Sequence, residues 1–223
     1  MQLTDTLAYV VFPYIALTIF ALGHGWRYLL DSYGWNARSS EFLEKRQLSL
    51  PVTIFHWGIL LVLLGHIGGL LIPQHLLEAI GLSARTHILI AHVSGVIAGT
   101  MTFVGLGALL YRRLTNPRVR CVTSRNDLVT VGGLIVVVAT GLYTVLFGQF
   151  DVLTTIAPWI RGVITFTPDS TLMLEVPLCS RVHVLSALAL LAFSPFSRLV
   201  HIWSAPLSYF LRSWIVFRRR VAH

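Results

Sequence analysis

The sequence predicts an all-α integral membrane protein whose five transmembrane helices pack as one bundle. Of its 223 residues, 55% are hydrophobic and 12% are charged, whereas about 25% of an average soluble domain is charged. A helix needs about 20 mostly apolar residues to cross a bilayer, and five segments reach this length. The predicted helices span residues 7–30, 51–72, 87–111, 128–149 and 181–203, within a single domain, 1–223.

The first predicted helix, 7–30, is expected to be retained rather than cleaved. A secretory signal peptide begins with basic residues, has a shorter apolar core and ends at a small-residue cleavage site. This segment lacks the basic start and the cleavage site, and its apolar stretch is too long. It therefore counts as the first of the five spans.

Basic residues alternate between the two ends of the predicted helices, and this alternation predicts the topology. The net charge is +8, and most Lys and Arg side chains follow the first, third and fifth helices. Because cytoplasmic segments carry the excess of Lys and Arg, the N-terminus is expected outside and the C-terminus in the cytoplasm. Topology, with some lipid contact, accounts for the charge, and nucleic acid is not an expected partner. The cytoplasmic residues are Arg27, Arg38, Lys45, Arg46, Arg112, Arg113, Arg118, Arg120, Arg125, Arg198, Arg212 and Arg218 to Arg220, and the outer ones are Arg85, Arg161 and Arg181.

The segments between the helices differ in character. The two cytoplasmic loops are polar, and Pro117 stops the third helix because proline lacks a backbone N–H. Asp127 is expected to cap the start of the fourth helix. The outer loop 149–180 is the longest, and its Trp159 favours a position at the membrane surface. The cytoplasmic tail 204–223 fits either an interfacial helix or a docking strip.

Glycines stand at GxxxG spacing in two of the predicted helices. The second helix carries Gly65 and Gly69, and the third carries Gly95 and Gly99. Such pairs often let two helices approach closely. They would equally let a large flat ligand lie against the backbone, and both interpretations stay open.

The two cysteines do not indicate a disulfide or a metal centre. Cys121 lies in a cytoplasmic loop and Cys179 on the outer side, so the predicted topology keeps them apart. The sequence contains no CxxC motif, and a zinc or iron–sulfur site is therefore not expected in this chain.

Four histidines in the second and fifth helices form the strongest functional signal. Ionisable residues inside membrane spans are rare and usually functional, although a lone histidine more often packs through a hydrogen bond. The stretch FHWGILLVLLGH contains His56 and ends at His66, about 15 Å further along a helix. His183 and His201 lie about 27 Å apart on the fifth helix, which runs in the opposite direction. Depth in the membrane therefore pairs His56 with His201 and His66 with His183.

Each pair suits the two axial positions of a haem, whose iron commonly takes histidine. The two histidine spacings differ by about 12 Å on straight helices, so the pairing requires tilt or a kink near Pro195. Ten residues also rotate the side-chain direction by about 80°, which sends His56 and His66 to different faces of their helix. Arginines at matching depths suit haem propionates, because guanidinium groups bind carboxylates bidentately. Anchoring at the membrane edge is the alternative, and for Arg112 the stronger one. The three arginines are Arg112, Arg181 and Arg198.

These motifs together resemble the membrane cytochrome b subunit, the gamma subunit, of respiratory nitrate reductase. The resemblance covers nearly the whole chain, including its length and its five-helix plan. The similar segments are FHWGILLVLLGHIGG at 55–69, NPRVR at 116–120 and PFSRLVHIWSAP at 195–206, together with part of NARSSEFLEKR at 36–46.

The resemblance implies a diheme, multi-pass protein of the cytoplasmic (inner) membrane that oxidises menaquinol or ubiquinol. It implies that His56 and His201 hold the proximal, inner haem, and that His66 and His183 hold the distal, outer haem. It also implies two partners: an iron–sulfur (beta) subunit that receives the electrons, and a molybdenum (alpha) subunit on which nitrate is reduced.

The quinol is expected near the outer face, beside His66 and Gly65. The family pattern has a lysine on the outer side, at the start of the third helix, whereas the only lysine here is Lys45 on the cytoplasmic side. Arg85 is the nearest cationic substitute, with His87 close by. The expected quinol site therefore consists of Gly65, His66 and Arg85.

Two alternatives differ in class from this reading. A diheme anchor of another respiratory reductase or dehydrogenase, including a nitrite-oxidising complex, would share the histidine pairs and differ in its soluble partner. A proton or ion transporter usually carries Asp or Glu within its spans. The five predicted spans contain neither residue, which argues against transport.

Overall fold

The computed structural model describes residues 3–31, 34–36, 39–148 and 150–203, and the regular structure of this part is entirely helical. Five of the helices are long and apolar enough to cross a membrane. The predicted tail 204–223 and Arg38 lie outside the described residues. In chain order the helices are α1 (Leu3–Leu30), α2 (Ser49–Leu71), α3 (Gln74–Ala79), α4 (Ala84–Thr115), α5 (Pro117–Cys121), α6 (Arg125–Phe147), α7 (Ile156–Ile164) and α8 (Leu178–Phe193).

The bundle has two distinct ends. At one, which we call the α7 end, α2 finishes, α4 and α8 begin, and α7 packs across the helices. At the other, which we call the Asp127 end, α4 finishes and α6 begins with Asp127 in its first turn. The last turn of α2, Ile67–Leu71, is a π-helix that follows His66 directly. Such π turns occur frequently at functional sites.

Polar side chains define where two of the long helices start. The Oγ of Ser83 accepts a hydrogen bond from the backbone N–H of Thr86 at 3.2 Å and so caps α4. Ser124 caps α6, and the expected capping residue Asp127 is instead its reciprocal partner three positions later. The Asp127 N–H donates to Ser124 Oγ, while the Ser124 N–H donates to Asp127 Oδ2 at 2.9 Å. This capping box satisfies backbone donors that a helix start would otherwise leave unpaired.

Glycine allows the closest helix contact in the bundle, between α2 and α4. A Cβ added at Gly58 of α2 would lie 2.6 Å from the backbone N of Thr102. A Cβ added at Gly105 of α4 would lie 2.6 Å from the backbone N of Phe55. Each distance is shorter than a carbon atom can tolerate, so the two backbones meet at this distance only because both positions lack a side chain.

The GxxxG pair of α4 serves helix packing. A Cβ at Gly95 would stand 3.4 Å from Val145 of α6, and one at Gly99 would stand 3.2 Å from Leu142. Both glycines therefore lie in the interface between α4 and α6. Of the two interpretations of the GxxxG pattern, close packing holds for this pair.

The fifth span differs from the continuous helix expected over 181–203. The α-helix ends at Phe193, and two 3₁₀ turns follow, Ser194–Phe196 and Arg198–Trp203. Pro195 cannot donate the hydrogen bond that an α-helix would need from it. Ser197 then takes an extended backbone with ψ −178°. His201 therefore lies on a separate segment from His183, and the spacing calculated for one straight helix does not apply.

The loop after α6 folds into a cap over the α7 end rather than a surface strip. Trp159 is only 2% exposed, and its Nε1–H donates to the carbonyl of Tyr9 in α1 at 2.9 Å. Arg161 donates to the carbonyl of Leu70, in the π turn of α2, at 2.9 Å. Met173, fully buried, packs in the same apolar cluster. The membrane-surface position expected for Trp159 therefore gives way to burial between helices.

Candidate functional site

His66 of α2 and His183 of α8 face each other toward the α7 end. Their ring centroids lie 6.0 Å apart, and the ring planes differ by 33°. The depth argument made from helix rise predicts this pair, and the structure brings the two residues together.

His56 of α2 meets His201 of the last 3₁₀ turn toward the Asp127 end. Their ring centroids lie 6.2 Å apart, with the planes at 65°. The two pairs thus bridge α2 and the fifth span at two depths. The helices that carry the histidines do not pack closely on each other. α2 packs along α4, whereas α8 packs along α6 and α1. The histidines therefore reach toward each other across a gap in the bundle.

All four histidines form the same hydrogen bond through Nδ1, which fixes the same tautomer in each ring. In each, Nδ1 lies against a backbone carbonyl, which can only accept a hydrogen bond. Nδ1 must therefore carry the hydrogen, and in the neutral ring Nε2 carries the lone pair. Metal-binding histidines are held in this way, with the nitrogen that does not bind the metal donating to a carbonyl. The contacts are His56 to Val52 at 2.7 Å, His66 to Val62 at 2.7 Å, His183 to Val137 at 2.9 Å and His201 to Arg198 at 2.6 Å.

The ring of His183 occupies a recess that glycine provides. A Cβ added at Gly141 of α6 would lie 2.7 Å from His183 Cε1. On the same face of α6, Thr140 Oγ1 lies 3.5 Å from Nδ1. These two residues of α6 thus fix the ring from behind, and neither carries a signal in the sequence that would identify it.

The spacing of the rings fits one metal ion held between each pair. A transition metal lies about 2 Å from a coordinating ring nitrogen, which places two facing imidazole centroids roughly 6 Å apart. The described residues contain no group of three or more His, Cys, Asp or Glu side chains suited to a metal ion. Two protein ligands per site suit a metal whose remaining ligands come from a macrocycle, as in haem.

The comparison with known families decides the identity. The family model described as nitrate reductase gamma subunit matches residues 5–220. The chain belongs to the nitrate reductase gamma subunit family. It is therefore a subunit of a nitrate reductase complex, an oxidoreductase assembly, and its five apolar helices suit a membrane subunit.

Relatives from three bacteria support the assignment. The nitrate reductase gamma chain of Bacillus subtilis (strain 168) is 40% identical over 214 residues, which cover 94% of this chain and 96% of that one. The respiratory nitrate reductase 1 gamma chain of Escherichia coli (strain K12) is 33% identical over 225 residues, or 99% and 100% of the two chains. The nitrate reductase-like protein NarX of Mycobacterium tuberculosis (strain ATCC 25618 / H37Rv) is 41% identical over 220 residues, which are 96% of this chain and 34% of that protein.

In this gamma subunit, the guanidinium of Arg112 forms its hydrogen bonds with the loop that precedes α2. The residue is 3% exposed, and its Nε donates to Glu44 Oε2 at 2.8 Å. Its Nη1 donates to Ser40 Oγ at 3.0 Å, and its Nη2 to the Ser40 carbonyl at 3.1 Å. The hydrogen bond from Arg112 holds the pKa of the Glu44 carboxyl below its ordinary value. The guanidinium therefore fixes the loop to α4.

Arg198 is likewise engaged, by Asp127. Its Nη2 donates to Asp127 Oδ2 at 2.7 Å, and its Nε donates to Oδ1, which makes the contact bidentate. Arg113 adds a third hydrogen bond to the same carboxylate at 3.3 Å. Asp127 is 3% exposed, so this charge cluster is largely withdrawn from water. The clamp holds the turn that carries His201, three residues after Arg198.

The break before His201 is also held from α1. Arg27 donates to the carbonyl of Pro195 at 2.6 Å and to that of Ser197 at 3.1 Å. Asn126 of α6 donates to the carbonyl of Phe196 at 2.8 Å. These bonds give hydrogen-bond donors to three carbonyls of the break that follows α8. The sequence analysis placed Arg27 only as a topology signal, because nothing in the chain order indicates contact with Pro195.

Arg181 differs from the other two predicted arginines. It lies two residues before His183, and its Nε is buried with no hydrogen-bond partner among the described residues. An unpaired buried guanidinium N–H is costly, and a carboxylate would satisfy it. This orphaned donor is the observation that best fits a propionate beside His183.

The expected quinol residues all lie in the part of the bundle toward the α7 end. Gly65 and His66 are adjacent on α2, and Arg85 lies exposed in the first turn of α4. A Cβ added at Gly65 would meet no atom within 4 Å, whereas one at Gly95 or Gly99 of α4 would touch α6. Open space beside Gly65 favours the second interpretation of GxxxG on α2, namely a surface for a flat ligand.

Proposed function

We propose that this chain is a diheme cytochrome b that oxidises membrane quinol and delivers the electrons to the iron–sulfur subunit of a nitrate reductase complex. The observation that carries the proposal is the presence of two interhelical histidine pairs at two depths of one bundle. A transporter or a plain anchor has no use for such pairs. Family membership supports the nitrate reductase partner, rather than another reductase or dehydrogenase.

The histidine pairs are the proposed axial ligands of two b-type haems. His66 and His183 would hold the haem at the α7 end, and His56 and His201 the one at the Asp127 end. When bound, the haems supply one-electron redox chemistry at potentials that their ligands and surroundings tune. The protein fixes the four rings through their Nδ1 hydrogen bonds and keeps the two sites about 15 Å apart along α2.

The arginines have different proposed tasks. Arg181 offers its unpaired Nε–H to a haem propionate near His183. Arg112 and Arg198, expected in the same role, already bind Glu44 and Asp127. We propose that these two act mainly by positioning the loop before α2 and the turn that carries His201.

Quinol oxidation is proposed at the α7 end, beside Gly65, His66 and Arg85. The topology predicted from basic residues places this end outside, so that the protons of menaquinol or ubiquinol leave on the outer side of the cytoplasmic membrane. The electrons leave at the Asp127 end toward the iron–sulfur (beta) subunit. A molybdenum (alpha) subunit would then reduce nitrate, and this chain would not contact nitrate.

The deciding experiment is a reduced-minus-oxidised optical spectrum of the purified complex, with haem counted per gamma chain. We expect two low-spin b-type haems, one of which disappears in His66→Gln together with quinol oxidation. His75→Gln is the matched control, because His75 is exposed at the same end and no ring contact joins it to another described residue. A wild-type complex that contains no haem while fully assembled would overturn the proposal, as would a His66→Gln variant that retains both haems.

A further inference from the structure

Near the α7 end, the backbone of α2 beside His66 is exposed because three glycines lie there. Gly65, Gly68 and Gly69 supply no side chains, and a Cβ added at Gly65 or Gly68 would meet no atom within 4 Å. A Cβ at Gly69 would meet a single atom, His87 Nε2, at 3.7 Å. Outside α2 itself, His87 Nε2 is therefore the only described atom within 4 Å of these three Cβ positions.

His87 is a largely buried residue, and only one of its two ring nitrogens forms a hydrogen bond with a described residue. It lies in the first turn of α4 and is 7% exposed, so more than nine-tenths of it is buried. Its Nδ1 lies 2.8 Å from Gln74 Oε1, whereas no described residue forms a hydrogen bond with its Nε2. Nε2 itself is not fully enclosed, so a molecule at this surface can reach it. Such a molecule would lie beside Gly69 of α2, since a Cβ there would stand 3.7 Å from Nε2.

The surrounding hydrogen bonds fix which nitrogen of His87 carries the proton. The amide nitrogen of Gln74 donates to Glu78 Oε1 at 3.2 Å and to the Leu82 carbonyl at 3.3 Å. Both of those atoms are acceptors, so the amide cannot be reversed without bringing oxygen against oxygen. Gln74 Oε1 must therefore accept from His87 Nδ1. The neutral ring then has its lone pair on Nε2, directed at the glycine strip.

We propose that His87 Nε2 accepts a hydroxyl proton from the quinol during its oxidation. The inference rests on the proposed function, because it takes the quinol site to lie beside His66. The flat ring of a benzoquinol or naphthoquinol would lie on the backbone of Gly65 to Gly69, with one hydroxyl at His87. His87 becomes a catalytic residue beyond those expected at this site, and Gln74 becomes its positioning residue.

One of the two quinol protons passes through His87, and the other goes directly to water. The quinol O–H bond breaks, its proton moves to the Nε2 lone pair, and Nδ1 keeps its own proton toward Gln74 Oε1. The two electrons leave the quinol one at a time, and their acceptor would be a haem held by His66 and His183. The second hydroxyl loses its proton to water at the α7 end, the quinol becomes quinone, and His87 then releases its proton to the same water.

The test compares His87→Gln with His75→Gln in the complete nitrate reductase complex. A short-chain quinol serves as the substrate, and the haem spectrum is recorded for each variant. General bases typically contribute about 10²- to 10⁴-fold, so we expect kcat of His87→Gln to fall at least about 100-fold while both haems remain. Gln74→Leu removes the acceptor of the His87 Nδ1–H, so either ring nitrogen of His87 can carry the proton. This variant should lower kcat less, by about tenfold, with KM little changed. The control should match the wild type.

The outcomes separate this inference from the proposed function. A His87→Gln complex with both haems and wild-type kcat and KM would overturn the role of His87 while leaving quinol oxidation intact. A wild-type complex without haem or quinol oxidation would remove both proposals. Should His87→Gln fail to assemble, photolabelling of the wild-type complex with an azidoquinone decides. Label on the Gly65–Gly69 and α4 N-terminal peptides supports the site, and label confined to other peptides overturns it.

Discussion

Gly141 of α6 lies directly behind the ring of His183, with 2.7 Å between the position of a Cβ and His183 Cε1. The ring that we propose as a haem ligand therefore fits in this place only because residue 141 is a glycine and has no Cβ. Its Nδ1–H also donates to the Val137 carbonyl one turn away on the same helix. α6 thus sets both the depth and the direction of an imidazole carried by α8.

The first prediction concerns Gly141→Ala. The added methyl group displaces the His183 ring, so we expect loss of one of the two proposed haems, measured as haem per chain, with quinol oxidation lost as well. Gly132→Ala is the control, because it lies on the same helix and its Cβ would meet no atom within 4 Å. A Gly141→Ala complex with the wild-type haem content and spectrum would show that His183 does not need this recess.

The second prediction concerns the contact between α2 and α4. Gly105→Ala places a carbon 2.6 Å from the Phe55 backbone, which cannot move aside as a flexible side chain can. Overpacking of this kind costs about 1–3 kcal/mol, and we expect a decrease of that size in the free energy of unfolding. Gly107→Ala, two residues along the same helix, faces open space and serves as the control. Equal stability of the two variants would contradict the close approach.

The third prediction concerns the Asp127 clamp. Asp127→Asn leaves Arg198 and Arg113 largely buried without their counter-charge, and breaking a buried ion pair costs about 3–5 kcal/mol. We expect a decrease of this order in the free energy of unfolding, followed in mixed detergent micelles. We also expect a change in the spectrum of the haem proposed at His201, whose turn the clamp holds.

Glu41→Gln is the matched control for the clamp. Glu41 pairs with Lys45 at 3.2 Å, but the two side chains are 51% and 76% exposed. Exposed pairs contribute about 0–1 kcal/mol, so this variant should remain close to the wild type. If Asp127→Asn were equally mild and spectrally silent, Asp127 would have no positioning role.

The fourth prediction concerns pH and the loop before α2. The folded-state pKa of Glu44 is lowered, chiefly by the hydrogen bond from Arg112. The contribution of the carboxylate is therefore present above its ordinary pKa and is lost as the pH falls through the lowered value. We expect faster amide hydrogen exchange in residues 39–48 at acid pH, after correction for the intrinsic rate. Glu44→Gln should show the fast exchange at neutral pH too, and a pH-independent wild type would contradict the prediction.

Much of the architecture follows from local composition and helix geometry. Five apolar stretches predict five spans, because length and hydrophobicity suffice for membrane insertion. The order of the histidines along two antiparallel spans pairs His56 with His201, although the rise of straight helices leaves a mismatch of about 12 Å in the spacings. The charge pattern predicts an orientation, which stays a prediction.

The remaining features depend on contacts between residues far apart in the chain. The end of α8 at Phe193 depends on Arg27 and Asn126, which stabilise the carbonyls of the break. Gly141 carries no local signal, since one glycine inside an apolar helix looks the same whether it faces lipid or a ring. The turn after the break also frees His201 from the face of α8, which resolves the mismatch in spacing and direction expected for a straight helix.

The gap between α2 and the fifth span has a consequence for the life of the chain in the cell. The α2–α4 pair joins the α6–α8–α1 group along the α4–α6 seam, and the opposite side meets through the histidine rings and through α7, which contacts the π turn of α2. The haems proposed between the two sides would act as ligands of the folded form alone, so mass action would make the amount of assembled subunit depend on haem supply. When haem biosynthesis slows, newly inserted chains should stay open along that side and reach membrane proteases before their partner subunits. Respiratory capacity would then track cofactor production without any dedicated regulator.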